Sequence, residues 1–358
     1  MTDEVVRRQM AIARWLLIVC VLLFLMIVLG GLTRLTESGL SIVEWKPLTG
    51  WVPPLGDAAW QELFYKYRTS PEYLKINRGM TLDQFKGIFW LEYVHRLWGR
   101  LIGFAFAGPL AIFWWRGWLE RNLRAHLIFA FFLGAAQGAL GWLMVASGLV
   151  DDPHVSPYRL AAHFGLGVFL YGYLFWLATG LIDLEHQVGP GPGDLKARRR
   201  AFGLMGLMYV TMLYGALVAG LDAGRAYNTF PLMAGRIVPD GYFALGVTLG
   251  NLFENIAAVQ FNHRALATLT LLLAIGFGLY ARRAKDNPRL QRAILLVPAS
   301  ALVQYVLGVV TLLNHVPVAL GALHQAMAVI VFTALLWAAR LAGVTPAKPL
   351  QTPAIRAN

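Results

Sequence analysis

Eight long runs of apolar residues, separated by polar connections, dominate the pattern along the chain. Each run is close to the length of about 20 residues with which an α-helix crosses a bilayer. The pattern predicts eight spans, at residues 15–32, 88–115, 126–146, 159–182, 201–221, 252–280, 293–313 and 318–339. The first run is too long for a signal-peptide core and no small-residue cleavage site follows it, so we expect it to remain as a span.

Composition and charge exclude several classes of protein. Apolar residues make up 58% of the 358 residues and charged residues 14%, against roughly 45–50% and about 25% in soluble domains. Most of the formal charge of +12 lies in short segments between apolar runs, which is typical of a membrane protein and not of a nucleic-acid-binding one. The single cysteine, Cys20, excludes a disulfide framework and cysteine-bound zinc or iron–sulfur centres.

Lys and Arg are distributed unequally between the two sides of the predicted bundle. Eighteen lie in the two tails and the second, fourth and sixth connections, and three lie in the third, fifth and seventh. Basic residues concentrate on the cytoplasmic side of membrane proteins, so both termini are predicted to be cytoplasmic. A segment rich in Gly, Pro, Lys and Arg, residues 189–200, is predicted to be a cytoplasmic linker between two halves of four spans.

The two halves resemble each other in sequence. Each has a glycine-led motif at the end of its first span, beginning at Gly30 and at Gly215, and a His-Arg pair in its second span. The third spans share Gln-x-x-x-Gly, at 137–141 and 304–308. An even number of spans per repeat gives both copies the same orientation. The predicted fold class is an all-α integral membrane protein with eight transmembrane helices in two parallel-repeat four-helix bundles, at 1–188 and 201–358.

Four histidines lie inside even-numbered spans, a few residues from the outer end of each: His95, His163, His263 and His324. The repeat pairs the first two and the last two. An ionisable side chain is costly in lipid and generally faces the bundle interior. One such histidine is commonly just a hydrogen-bonded interior residue, but four at equivalent depth favour metal or haem ligation.

The residues around these histidines favour haem over a bare metal ion. Small residues lie one helical turn after each histidine: Gly99, Gly167, Ala267 and Ala328. A flat macrocycle against a helix needs such space, although small residues also serve close helix packing. A bare metal ion would need a third or fourth ligand, and Glu92 is the one further candidate ligand evident at this depth in the sequence. Two neutral imidazoles from facing helices suit the axial positions of a haem iron.

Two arginines and two loop histidines have open interpretations. Arg96 and Arg264 each follow a ligand histidine. They either pair with haem propionates, which suit the guanidinium fork, or snorkel to the surface. His154 and His315 correspond in the repeat and lie in outer connections. They either cap the haems or relay protons, or are ordinary solvated residues.

Four segments of the sequence resemble the haem A synthase family: residues 30–54, 92–96, 222–233 and 261–264. The resemblance covers nearly the whole chain. It implies an oxidoreductase acting on a CH group, which oxidises a ring methyl of haem O to a formyl group and gives haem A for cytochrome c oxidase. It also implies that one half binds a b-type haem and the other the substrate haem.

The chain departs from part of this family, because it has no cysteine pairs in the outer loops. It is therefore similar to the cysteine-free class, which includes alphaproteobacterial and mitochondrial members. The N-terminus does not resemble an organellar transit peptide, and so we expect a multi-pass protein of the bacterial cell inner membrane.

Position 92 distinguishes the two halves. Glu92 precedes His95 by three residues, which places both side chains on one helix face. A carboxylate there can accept a proton or stabilise positive charge on the substrate, or it can simply pair with Arg96. Its equivalent is Gln260, which cannot act as a base. The expected sites are substrate haem O at His95 and His163 with Glu92 as the catalytic residue, and resident haem b at His263 and His324.

Other functions fit part of the pattern. A diheme b-type membrane cytochrome that transfers electrons from quinol would also use paired histidines. A transporter is a further alternative, although the histidines lie in regular spans and not in the broken helices common at transporter sites. The expected partners are haem O, a haem O synthase as supplier, an electron acceptor that the sequence does not identify, and membrane lipid. Homo-oligomer formation, haem occupancy and the delivery partner are left open.

Overall fold

The computed structural model describes residues 3–45, 50–150, 153, 155–185, 194–284 and 287–344, and this part of the chain is built from α-helices. In chain order the helices are α1 (Asp3–Leu35), α2 (Asp57–Arg68), α3 (Pro71–Lys75), α4 (Leu82–Trp115), α5 (Arg121–Gly148), α6 (Pro157–Glu185), α7 (Leu195–Gly220), α8 (Leu249–Phe253), α9 (Ile256–Tyr280), α10 (Pro288–Leu313) and α11 (Val318–Ala342).

Eight of these helices, all except α2, α3 and α8, are long and apolar enough to cross a membrane. The shortest of the eight has 25 residues, which gives a length of about 37 Å against a hydrocarbon core of about 30 Å. The prediction of eight spans is confirmed, and the chain is a multi-pass membrane protein.

Local capping residues set where several helices begin. Thr81 and Gln84 form a capping box at the start of α4, in which each side chain accepts a hydrogen bond from the other residue's backbone N–H. Asp194 caps α7 by accepting a hydrogen bond from the N–H of Ala197 at 2.9 Å. Residues 195–200, which the sequence placed in the linker, are therefore the first turns of α7. Residues 186–193 lie outside the described part.

The eight spans form two rings of four helices. In the first, α1 packs against α4, α4 against α5, α5 against α6, and α6 against α1. In the second, α7, α9, α10 and α11 pack in the same cyclic order. The rings meet where α6 contacts α7 and where α1 contacts α11. These two contacts are equivalent under the repeat, which is consistent with the predicted pair of four-helix bundles.

Polar side chains join the two rings at their shared face. The hydroxyl of Tyr171 on α6 lies 2.7 Å from the hydroxyl of Thr333 on α11. The hydroxyl of Tyr209 on α7 donates to the carbonyl of Gly165 on α6 at 2.9 Å. Interhelical hydrogen bonds of this kind stabilise helix packing in lipid, where no water competes for the groups.

The connection between α1 and α4 folds into a cover over the N-terminal end of α4. Helix α2 packs on α4, and α3 packs on α2, through an aromatic cluster of Trp60, Tyr67, Tyr73, Phe85, Phe89 and Tyr93. The corresponding connection in the second half is built differently, from two short 3-10 turns (Ala223–Arg225 and Asp240–Phe243) and α8. The first half therefore has a buried aromatic cluster where its connection meets α4.

Candidate functional site

The structure brings the predicted histidine pairs together. The rings of His263 on α9 and His324 on α11 have centroids 6.5 Å apart and are nearly perpendicular, at 87°. In the first ring, His95 on α4 and His163 on α6 lie close enough for their charges to interact. Each pair thus joins a helix at the edge of its ring, α4 or α9, to a helix where the two rings meet, α6 or α11.

With the observed spacing, His263 and His324 would both be able to hold one haem iron. Two metal–nitrogen bonds of about 2 Å each, plus about 1.1 Å from each nitrogen to its ring centroid, add to a separation near 6 Å. The observed 6.5 Å is close to that value. No group of three or more His, Cys, Asp or Glu side chains suited to a metal ion occurs among the described residues. Two-ligand sites therefore favour a macrocycle that supplies the other donors.

Each histidine ring lies against a glycine of the neighbouring helix. A Cβ added at these glycines would lie 3.1, 3.1, 3.1 and 2.7 Å from the ring Cε1 in the pairs Gly30–His95, Gly141–His163, Gly215–His263 and Gly308–His324 respectively. Any larger residue would push the imidazole. These glycines are therefore positioning residues for the site, and sequence reasoning missed that role. The available signal was their place in the repeated motifs.

The small residues that the sequence singled out have other neighbours. A Cβ at Gly167 would lie 3.2 Å from the side-chain amide nitrogen of Gln137, and one at Gly99 would lie 3.5 Å from the terminal methyl of Met26. Ala328 is buried. The glycines that lie against the rings are therefore on neighbouring helices, whereas a Cβ at Gly99 or Gly167 would meet other side chains.

Polar neighbours orient the imidazoles. Nδ1 of His263 lies 3.1 Å from the carbonyl oxygen of Thr211. A proton on Nδ1 makes this hydrogen bond and leaves Nε2 with a free lone pair for a metal. The amide nitrogens of Gln137 and Gln304, which are equivalent in the repeat, lie 3.4 and 3.5 Å from Nε2 of His163 and His324 respectively.

Glu92 is buried, with 2% of its surface exposed, and both of its oxygens accept hydrogen bonds. Oε1 accepts from Arg96 at 2.6 Å, and Oε2 accepts from the hydroxyl of Ser41 at 2.6 Å and from the N–H of Ile42 at 2.7 Å. Arg96 also donates to the carbonyls of Ile42 and Glu44. The Glu92–Arg96 pair therefore ties residues 36–45, the segment that follows α1, to α4 beside the first histidine pair.

The second half repeats this arrangement without the carboxylate. Arg264 donates to the carbonyls of Tyr227 and Thr229 at 2.7 and 2.8 Å, and Gln260 donates to the carbonyl of Tyr227 at 3.1 Å. Each arginine thus holds in place the segment that follows the first span of its half, after α1 or after α7. A role for either arginine toward haem propionates stays a prediction.

A second buried carboxylate lies in the aromatic cover. Glu72 on α3 is 3% exposed, and its Oε2 has no hydrogen-bond partner within the described part of the chain. Burial, together with the negative charges of Glu92 and Glu37, raises the pKa of Glu72 to about 8, although a hydrogen bond with Tyr67 opposes the shift. Sequence reasoning missed Glu72, because one glutamate in a long polar connection follows no pattern.

The two loop histidines remain outside the site as described. His315 is exposed after the end of α10, in the left-handed region with φ of +61°. His154 lies outside the described residues. Their predicted roles stay open.

The fold and the site define a multi-pass membrane protein whose paired histidines suit haem iron. The chain belongs to the COX15-CtaA family of cytochrome oxidase assembly proteins, whose profile matches residues 13–336. The predicted family resemblance is confirmed.

Curated relatives match nearly the whole chain. A protein of Nitrosomonas eutropha named Heme A synthase is 48% identical over 340 residues, which are 95% of this chain and 96% of that one. A Heme A synthase of Paramagnetospirillum magneticum is 49% identical over 91% of this chain and 92% of its own. One of Maricaulis maris is 44% identical over 94% and 98%. The relatives carry the name of an enzyme.

Proposed function

We propose that this protein is a haem A synthase of a bacterial inner membrane, which oxidises a ring methyl group of haem O to a formyl group. The observation that carries the proposal is the presence of two glycine-backed histidine pairs, of which only one has a buried carboxylate beside it. The curated relatives named Heme A synthase support the same activity. Both termini are proposed to face the cytoplasm, from the distribution of Lys and Arg.

The first half is proposed to hold the substrate haem O at His95 and His163. Glu92 lies three residues before His95 on the same helix, so its carboxylate is directed toward the outer side of the ligand. Oxidation of a methyl to a formyl group takes one oxygen atom from water and releases four protons and four electrons, and the electrons pass to the external acceptor. Positive charge develops on the carbon as electrons leave. A fixed carboxylate can accept a proton or stabilise that charge, and the donors Arg96 and Ser41 hold it in one position.

The second half is proposed to hold a resident haem b at His263 and His324. Such a haem would supply one-electron redox chemistry at this pair. Gln260 replaces the carboxylate and holds the segment that follows α7 through the carbonyl of Tyr227. A neutral amide suits a haem that is retained for electron transfer. The supplier of haem O and the electron acceptor are expected partners outside this chain.

The substitution Glu92→Gln tests the catalytic assignment. The variant keeps the side-chain size and one acceptor oxygen but removes the base. We expect it to fold, to retain the spectrum of the resident haem, and to accumulate haem O or its alcohol at the expense of haem A. Extracted haems separated by chromatography give the measurement, and Glu62→Gln on the exposed face of α2 is the matched control.

Three results would contradict the assignments. Normal production of haem A by Glu92→Gln removes the catalytic role and leaves Glu92 as an anchor of residues 36–45. A wild-type protein with b-type haem at both pairs, and no haem A when supplied with haem O, would be a two-haem cytochrome. His263→Leu should abolish the resident bis-histidine spectrum, and its retention would overturn the assignment of the second half.

A further inference from the structure

In the second half, the line along which α9 and α10 meet forms a seam, and contacts close this seam at three depths. At the outer end, the side chain of Asn228 donates to the carbonyl of Leu312 at 2.9 Å. Further in, the hydroxyls of Tyr305 on α10 and Thr268 on α9 lie 3.0 Å apart. Near the cytoplasmic end Gly278 fits so closely against Pro298 that a Cβ would lie 2.7 Å from the proline ring. These contacts seal the bundle beside His263 and His324.

In the first half, the described residues of the equivalent seam between α4 and α5 lack the two outer of these closures. Val43, which matches Asn228 in the register of the repeat, lines a cavity of about 240 Å³ together with Arg96, Trp142 and Val145. Gly138 directly follows Gln137, as Tyr305 directly follows Gln304. The first half therefore has a glycine at the position where the second half has the tyrosine that contacts Thr268.

Open space surrounds Gly138. A Cβ added there would have no atom within 4 Å, and the same is true of Gly134 one turn earlier. Gly138 lies three residues before Gly141, the glycine that backs His163, and therefore near the same helix face. The opening is thus immediately beside the first histidine pair, with the cavity at its outer end.

Haem O and haem b share one macrocycle, but haem O carries a long isoprenoid chain in place of a vinyl group. Such a chain is apolar and needs a path from the macrocycle into the lipid. A seam blocked by a tyrosine that is hydrogen-bonded to the next helix offers no such path, whereas a seam with a glycine at the same position does.

We propose that the α4–α5 seam at Gly138 receives the isoprenoid chain of haem O, and that Tyr305 excludes this chain from the second half. The pair Gly138 and Tyr305 then determines which half accepts the substrate and which accepts haem b. This inference rests on the proposed function and adds a specificity-determining position to it.

The test measures haem preference and does not depend on turnover. Full-length protein from cells that make haem b but no haem O is purified and titrated with haem O and, separately, with haem b at the first histidine pair. In Gly138→Tyr the affinity for haem O should fall about tenfold or more relative to haem b, equivalent to roughly two displaced methylene groups. The resident haem spectrum should stay unchanged.

A matched glycine controls for the substitution itself. Gly276 on α9 is also exposed and also has no atom within 4 Å of an added Cβ. Gly276→Tyr should leave the ratio of the two affinities at the wild-type value. If Gly138→Tyr does not accumulate, Gly138→Leu narrows the same seam with a smaller side chain, and the same ratio is measured.

The converse variant tests exclusion. Tyr305→Gly is made together with His95→Leu, so that only the second pair can hold haem, and the protein is produced in cells that make haem O. Extracted haem should then include haem O, which the His95→Leu single variant lacks. An unchanged affinity ratio in a folded Gly138 variant, or haem b alone in the double variant, overturns the proposal. Failure of the proposed function is distinguishable, because wild type would then form no haem A from haem O.

Discussion

The substitution Gly308→Ala should weaken the resident haem site by displacing one ligand. A methyl group at this position would lie 2.7 Å from Cε1 of His324, and ordinary contacts begin near 3.4 Å. The imidazole must therefore move by about 0.7 Å, which a free ring can do but a ring bound to iron cannot do without strain. Overpacking of this kind costs about 1–3 kcal/mol, which corresponds to a roughly 5- to 150-fold loss of haem affinity.

The glycines of the site supply a graded series for this prediction. At Gly215 the added Cβ would lie 3.1 Å from Cε1 of His263, so Gly215→Ala requires a ring movement of only about 0.3 Å and should have a smaller effect. Gly276→Ala adds the same methyl group in open space and serves as the control.

The assay is the rate at which purified protein loses its haem to excess apomyoglobin, followed by the absorbance of the low-spin species. We expect Gly308→Ala to lose haem fastest, then Gly215→Ala, with Gly276→Ala at the wild-type rate. Equal rates for Gly308→Ala and Gly276→Ala would refute the reasoning, because the glycine contact would then not position the ligand.

Three further outcomes are expected. The pKa of about 8 for Glu72 lies above its ordinary value of 4.5, so the native state binds this proton more tightly than the unfolded state does. The free energy of unfolding should therefore fall as the pH rises from about 4.5 to 8, by up to about 1.4 kcal/mol per pH unit. Glu72→Gln should flatten the pH dependence of the melting temperature in detergent, and an unchanged profile would contradict the shift. Reporter fusions at Asn122 and Asp152 should give cytoplasmic and external signals respectively, whereas equal sidedness would contradict the eight-span topology. Arg96→Gln removes the hydrogen bonds to the carbonyls of Ile42 and Glu44 and should speed hydrogen exchange in residues 36–45. Protection at the wild-type level would show that other contacts hold this segment.

The part of this protein that could be predicted from its sequence depends on local patterns. A bilayer demands about 20 consecutive apolar residues per helix, so the eight spans can be identified from hydropathy alone. The internal repeat is also visible in the sequence, and it pairs His95 with His163 and His263 with His324 before any contact is known. The linker boundary was less well predicted, because residues 195–200 are polar but helical, with Asp194 as their cap.

The structure of the covers over the two halves could not be predicted from the sequence. Helices α2 and α3 are short, and their packing depends on aromatic residues that follow no membrane pattern. The burial of Glu72 depends on that packing, because nothing in its own segment excludes water. Sequence analysis therefore predicted only a long connection there.

The tertiary structure alone decided which side chains lie against the histidines and which pairs of side chains meet between neighbouring helices. Gly30 and His95 come together from helices 65 residues apart in the chain, and hydropathy has no information on how one helix is rotated against another. The contrast between Gly138 and Tyr305 is visible in the aligned repeat, but its meaning requires Thr268 across the seam. The spans can be predicted from sequence because the surrounding lipid requires apolar residues. The site cannot, because its side chains come into contact only after the helices have packed.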